Sequence, residues 1–236
     1  MNDYDQIGGQ YSKSHLKPDK RYSMVPSTLN ILQPLSGRTV LDVGCGDGFF
    51  TRIFAQEANL VYGIDISHEQ IRRARQGMLP NMMVEVGDML NADLPRVNRI
   101  FSPFVLNYVQ EKEKLKGLFE RYYDSLNPNG ILASIVDMPQ SLVHDMRKFG
   151  SIKRIAKFEE GEPMEVEIYN GNEHLTTLHS VYHTKETIET LLAKTGFREI
   201  QWHTPIISSK GIKELGENFW KGYVENCDVA YFSARR

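Results

Sequence analysis

The chain has 236 residues, a formal charge of −2 and two cysteines, enough length for one large α/β domain with its own core. The near-neutral balance, without a basic tail or stripe, lacks the electrostatic footprint of a DNA- or RNA-binding protein. Cys45 and Cys227 form neither a disulfide framework nor a zinc spacing; with no basic-then-apolar leader and no apolar run of roughly twenty residues, a soluble, cytosolic protein is expected.

Residues 1–37 read as an N-terminal cap, with enough residues ahead of the first strand for Tyr4-Asp5-Gln6-Ile7-Gly8-Gly9-Gln10-Tyr11 to fold over a bound ligand rather than under the sheet. From 38 to 136 strands and helices alternate, the pattern of a doubly wound parallel sheet. The first strand, Val40 to Val43, runs into Gly44-Cys45-Gly46-Asp47-Gly48 and then directly into a helix. Glycines there permit backbone angles and close approach that a Cβ forbids, so a flat ligand can lie against main chain at a strand's carboxyl end. The spacing is G-x-G-x-G; a dinucleotide fingerprint places its third glycine where Phe49 stands, and Asp42 and Asp47 would repel a pyrophosphate. Further strands are expected at Leu60–Asp65, Val84–Met89, from Arg99 towards Tyr108, and after the turn at Asn127-Pro128-Asn129-Gly130.

After Val136 the rhythm breaks. Residues 137–183 contain Glu165–Tyr169, Asn170-Gly171-Asn172 and Leu175–His183, which predict an antiparallel hairpin in an inserted substrate lid. Residues 184–236 complete the sheet: Thr184 caps a helix running to Lys194 with Gly196 as its stop, and strands six and seven are expected at Arg198–Trp202 and Val229–Ser233, joined by a long aromatic-bearing connection.

The ordered set D-x-G-x-G-x-G, the acid Asp65 ending the second strand, Asp88 ending the third, Ser102-Pro103-Phe104 and the Leu126–Leu132 turn resembles the class I S-adenosylmethionine-dependent methyltransferases. The resemblance implies an α/β, Rossmann-like three-layer sandwich with a seven-stranded, mostly parallel sheet, and S-adenosylmethionine as cofactor, leaving as S-adenosylhomocysteine. It further implies that Asp42, Gly44, Cys45, Gly46 and Gly48 form the turn against the cofactor, that Asp65 with Ile66 meets the ribose, and that Asp88 and Met89 meet the adenine. Ser102, Pro103 and Phe104 would line the exit of strand four, and Tyr11 would reach the cofactor's carboxylate end. The opening segment, Leu106-Asn107-Tyr108, the Lys185–Phe197 helix and Phe219-Trp220 are similar to small-molecule enzymes such as the azapteridine N-methyltransferases. That narrower likeness implies a small heterocyclic or aromatic acceptor, met by Tyr22, Asn107, Tyr108 and Trp220, with no nucleic-acid or membrane partner.

For methyl transfer by in-line displacement, positioning and exclusion of water supply much of the acceleration. Where a base is needed, His179 and His183 are the candidates, four apart and so on one face of an uninterrupted strand. His174, His179 and His183 lack a Cys, Asp or Glu that would complete a metal site. Cys45 reads as a small residue filling a tight turn rather than a nucleophile. Two other readings stay open: Asp65 as a helix-start acid ahead of Ser67 and Gln70, and a catalytically silent methyltransferase fold acting as a binding or partner protein.

Overall fold

A computed structural model describes residues 2–236. The N-terminal segment forms α1 (Tyr4–Ser12), a short 3-10 turn (Lys13–Leu16), a π-helical turn (Lys20–Met24) and α2 (Val25–Leu32). The core follows as β1 (Thr39–Val43), α3 (Phe49–Phe54), β2 (Leu60–Asp65), α4 (His68–Arg75), β3 (Met82–Val86), β4 (Val97–Pro103), α5 (Lys112–Ser125) and β5 (Leu126–Asp137). Then come β6 (Val143–Met146), β7 (Ser151–Ile155), β8 (Pro163–Asn170) and β9 (Glu173–Val181), and after them α6 (Lys185–Thr195), β10 (Arg198–His203), α7 (Ser209–Leu215), α8 (Glu217–Trp220) and β11 (Val229–Arg235).

The main sheet has seven strands in the order β10-β11-β5-β4-β1-β2-β3. β1 pairs in parallel with β2 on one side and β4 on the other, so the chain direction of the crossovers reverses between β1 and β4. That switch point opens a crevice at the carboxyl ends of the strands. Only β11 runs antiparallel, inserted between β5 and β10. Consecutive strand residues are buried on opposite faces: Leu41 and Ile100 pack with Leu118, Phe119 and Leu191 of α5 and α6, whereas Val40 and Phe101 pack with Phe50, Phe54 and Tyr231. Burial on both faces is what a helix-covered parallel sheet requires.

Local signals end the elements where expected. Thr184 accepts from the Thr187 amide at the start of α6, and Gly196 closes that helix in a left-handed conformation at φ +103°, which a Cβ would resist. Gly171 turns the β8–β9 hairpin at φ +59°.

The 137–183 segment departs from expectation. It is a four-stranded antiparallel sheet, β6-β7-β8-β9, rather than one hairpin. The first two strands carry His144, Asp145, Lys153 and Arg154 and so show no clean apolar alternation by which to recognise them. The inner face of this second sheet, with Met164, Val166, Ile168 and Leu178, joins the main core. The 211–226 connection likewise holds α7 and α8 rather than a plain loop. Among the described residues, no helix is long and apolar enough to cross a membrane.

Candidate active site

The glycine turn is built by main-chain bonds. Gly44 N and Cys45 N both donate to Ile64 O, at 2.8 and 3.0 Å, and Gly46 N donates to Asp65 Oδ2 at 2.8 Å. Gly44 sits at φ +67°, and a Cβ there would lie 2.7 Å from Val105 Cγ2; the turn needs glycine for both reasons. A Cβ on Gly63 would meet Cys45 Sγ at 2.9 Å. Cys45 therefore fills the space that Gly63 leaves, and burial pushes its thiol well above the ordinary range, which makes it an inert packing group.

Against this turn lies a cavity of about 210 Å³ at the carboxyl ends of β1 to β4. Of the residues the sequence singled out, Tyr11, Gly44, Cys45, Gly46, Asp65, Ile66, Asp88, Met89, Pro103, Phe104 and Tyr108 line it. Asp65 takes Ser67 N on Oδ1 at 2.9 Å as well as Gly46 N on Oδ2, so each oxygen keeps a lone pair for a ligand hydroxyl. Asp88 is oriented by Leu90 N on Oδ1 and Asn91 Nδ2 on Oδ2. Ile66, Met89 and Leu90 supply apolar wall beside these acids.

α1 forms the roof. Asp5 Oδ1 accepts from Ser67 Oγ at 2.6 Å and Glu69 N at 2.9 Å, and Ser12 Oγ donates to Asp47 Oδ2 at 2.6 Å. Tyr4 and Tyr108 hydroxyls meet at 2.7 Å, and Tyr4 packs edge-on against both Tyr11 and Tyr108. Burial raises the Tyr11 and Tyr108 phenols, so both stay protonated at neutral pH.

Other expected site residues lie elsewhere. Asp42 is fully buried beneath the turn, where Thr51 Oγ1 donates to its Oδ2 at 2.7 Å and Oδ1 has no partner; burial pushes its carboxyl up to about 7. It braces α3 instead of facing a ligand. Gly48 starts α3 at φ +82° against Arg52 and Ala74. Ser102 is buried, bonded to Tyr122 and, through its carbonyl, to Ser134. Asn107 exchanges bonds with Asp137 N and Val181 O, tying β5 to the second sheet. Tyr22 and Trp220 pack edge to face, with Trp220 Nε1 donating to Gly211 O and the Tyr22 hydroxyl to Glu214; both belong to the core under the sheet.

The expected histidine pair is not a pair. β9 ends at Val181, so the strand does not carry both residues. His179, with 66% of its side chain exposed, faces outward beside Glu165. His183 is buried, its Nδ1 facing Glu160 at 2.5 Å and its Nε2 facing Leu106 O and Val109 O. Neither imidazole lines the cavity.

The structure adds residues that sequence reasoning missed. Phe49, Phe50, Gln70, His15 and Lys20 line the cavity, and Gln70 Oε1 is buried without a partner. His15 Nε2 donates to Asp47 at 2.8 Å, while its Nδ1 is buried and unbonded. Burial lowers the His15 pKa despite this contact, so a neutral imidazole donates one hydrogen bond. A local signal existed only for Phe49 and Phe50, which open the helix after the turn.

Asp47 yields a pH prediction. Burial pushes its carboxyl up, but hydrogen bonds from His15 and Ser12 outweigh this and hold it at about 2. An acid with a depressed folded-state pKa contributes stability that is present above the unfolded value near 4 and lost as pH falls towards 2, on the order of 2 kcal/mol. Urea melts of wild type and Asp47→Asn from pH 7 to pH 2 should show the difference full above pH 5 and vanishing at the acid end. A constant difference would refute the linkage.

A second, smaller space of about 40 Å³ adjoins the cavity, sharing Tyr11, Lys20, Phe104 and Tyr108 with it. Its far wall joins the second sheet to the first. Lys153 Nζ lies 2.6 Å from Asp137 Oδ1 and 3.1 Å from Asp228 Oδ2 and donates to Asp228 O at 2.6 Å. Burial would neutralise this lysine, but the two carboxylates hold its pKa above the ordinary value.

A cavity at the switch point of a seven-stranded sheet with one antiparallel strand defines an α/β protein of methyltransferase-like topology. Residues 40–130 match the family described as Methyltransferase domain. An uncharacterised methyltransferase of Geobacillus sp. (strain WCH70) is 26% identical over 113 residues, 47% of this chain and 52% of that protein. The ubiquinone biosynthesis O-methyltransferase of Haemophilus ducreyi is 34% identical over 73 residues, 31% of this chain and 30% of that protein. The matches thus span about half the length of the first of these relatives and under a third of the second. The crystal structure of an S-adenosylmethionine-dependent methyltransferase from Mesorhizobium loti superposes with a TM-score of 0.65 at 20% identity, covering 93% of this chain and 98% of that one. Residues 40–130 thus match a methyltransferase domain, and the chain as a whole has the fold of S-adenosylmethionine-dependent methyltransferases of known structure.

Proposed function

We propose that this protein transfers the methyl group of S-adenosylmethionine to a small organic acceptor, heterocyclic or aromatic in kind. The observation that carries the reading is Asp65, held by Gly46 N and Ser67 N with a lone pair on each oxygen left for the cavity beside a glycine turn. That arrangement suits a ribose diol. Asp88, Met89, Ile66 and Leu90 suit an adenine, the unpartnered Gln70 Oε1 offers a further acceptor, and the Tyr4, Tyr11, Tyr108 and Phe104 rings suit a cationic sulfur. When bound, the cofactor supplies a methyl group already activated by positive sulfur.

The residues of the chain then position and enclose. α1, pinned to Ser67, Glu69 and Asp47, excludes water, and its release is needed for ligand exchange. Tyr11 and Tyr108, kept protonated, donate hydrogen bonds at the junction with the smaller space, where the acceptor's reacting atom would lie against Phe104. The four-stranded sheet covers this junction and acts as the substrate lid.

Calorimetry tests the reading without knowledge of the acceptor. S-Adenosylmethionine and S-adenosylhomocysteine should bind in the micromolar range and NADH should not; mass spectrometry of a heterocycle panel incubated with S-adenosylmethionine should then show methylated product. Failure of both sulfur nucleosides to bind would reject the reading.

A further inference from the structure

Lys20 is the unexplained charge of the site. It is only 6% exposed, begins the π-helical turn, and lines both the cavity and the smaller space. Its Nζ lies 5.0 Å from the Phe49 ring centre, 5.3 Å from Tyr11 and 5.9 Å from Phe50. Ring faces attract an ammonium but accept none of its N–H bonds as a carboxylate does.

The other cations on these walls have acids of their own. Lys17 pairs with Asp19 at 3.4 Å, and Lys153 holds Asp137 and Asp228. Among the described residues, no carboxylate lies within 4.0 Å of Lys20 Nζ. The acids whose fields reach it are engaged elsewhere: Asp47 by His15 and Ser12, Asp19 by Lys17, Asp42 by Thr51. Burial first, then the charge of Lys17, pulls the Lys20 amine down to about 8. A desolvated ammonium without an anion is costly unless a ligand supplies one.

We propose that Lys20 is the counter-ion for a ligand carboxylate seated where the cavity meets the smaller space, beside Phe49 and Tyr11. The carboxylate has two possible carriers, the amino-acid end of the cofactor or an acidic acceptor. The first rests on the S-adenosylmethionine reading above; the second does not.

Lys20→Met removes the charge and keeps the side chain's length and apolar stem. Calorimetry at pH 7 would compare wild type and variant with S-adenosylhomocysteine, with 5′-methylthioadenosine, which lacks the amino-acid end, and with benzoate in the presence and absence of methylthioadenosine. If the cofactor carries the carboxylate, the variant loses about ten- to hundredfold in S-adenosylhomocysteine affinity, as expected for one charged hydrogen-bonded contact, and keeps its methylthioadenosine affinity. If the acceptor carries it, S-adenosylhomocysteine binds both proteins alike and benzoate binds wild type alone. Equal binding of S-adenosylhomocysteine and of benzoate by both proteins would overturn the proposal. So would loss of methylthioadenosine binding in the variant alone, which would make Lys20 a structural residue. Wild type that takes benzoate through Lys20 but neither nucleoside would support the carboxylate site and reject the cofactor reading.

Discussion

Lys153→Met is expected to lower stability by about 3–5 kcal/mol, because removing one partner of a buried ion pair leaves uncompensated charge in the interior. Lys153 is 1% exposed, and Asp137 and Asp228, at 7% and 3%, are nearly as enclosed. Without the ammonium, the carboxylates of Asp137 at the end of β5 and Asp228 just ahead of β11 would face one another, with Ser151 Oγ still donating to Asp228. Methionine fills similar volume, so the loss reports charge more than packing. Urea denaturation at pH 7 measures it. The triple variant Lys153→Met, Asp137→Asn, Asp228→Asn removes charge from all three groups and should recover most of the lost stability; a triple variant as unstable as the single one would show that the cost is steric. The cluster is also one of the polar links between the two sheets, so the single variant should expose the 143–181 segment to proteolysis before the rest of the chain.

Asp65→Ala is expected to weaken S-adenosylhomocysteine binding by about 3–6 kcal/mol, two charged hydrogen bonds at roughly 1.5–3 kcal/mol each. The sequence alone suggests less, on the order of 1–3 kcal/mol, for loss of a bidentate acceptor. The larger figure follows from the structure, since the same carboxylate holds Gly46 N and Ser67 N and so organises the glycine turn and the start of α4 together. Asp65→Asn separates the contributions: it keeps acceptor oxygen for one backbone amide, and its affinity should fall between those of wild type and alanine. Calorimetry that finds all three alike would remove Asp65 from the site.

The helix-start reading of Asp65 and the ligand reading turn out to be compatible. Oδ1 does meet Ser67 N ahead of α4, and the capping residue proper is Ser67, whose Oγ accepts from Gln70 N. The acid serves the local turn with one lone pair of each oxygen and keeps the other for the cavity.

What could be read in the chain was what depends on neighbours in sequence. G-x-G-x-G after an apolar strand requires left-handed glycines whatever surrounds it, Thr184 and Gly196 mark α6 by their own capping chemistry, and Asn170-Gly171 makes a hairpin by turn geometry. Reading of the same kind located β2 with Asp65 at its end; the third strand, expected at Val84–Met89, instead runs Met82–Val86, so Asp88 lies in the loop two residues beyond it.

What could not be read was set by partners far apart in the chain. Trp220 looks open in a glycine-flanked segment and is buried because Tyr22 and Phe149 pack on it. His183 resembles a base until Leu106, Val109 and Glu160 occupy its nitrogens. β6 and β7 carry charges that a pattern of apolar alternation rejects, and Lys153 becomes a core residue only because Asp137 arrives from β5 and Asp228 from the residue ahead of β11. Lys20 has no motif at all. The sequence by itself determined the turn, the acid that ends β2 and the likeness to a methyltransferase fold, since each follows from backbone sterics and short spacing. The tertiary structure alone decided which charges are paired and which face the cavity, because desolvation and Coulomb energy depend on distance in space and not on distance along the chain.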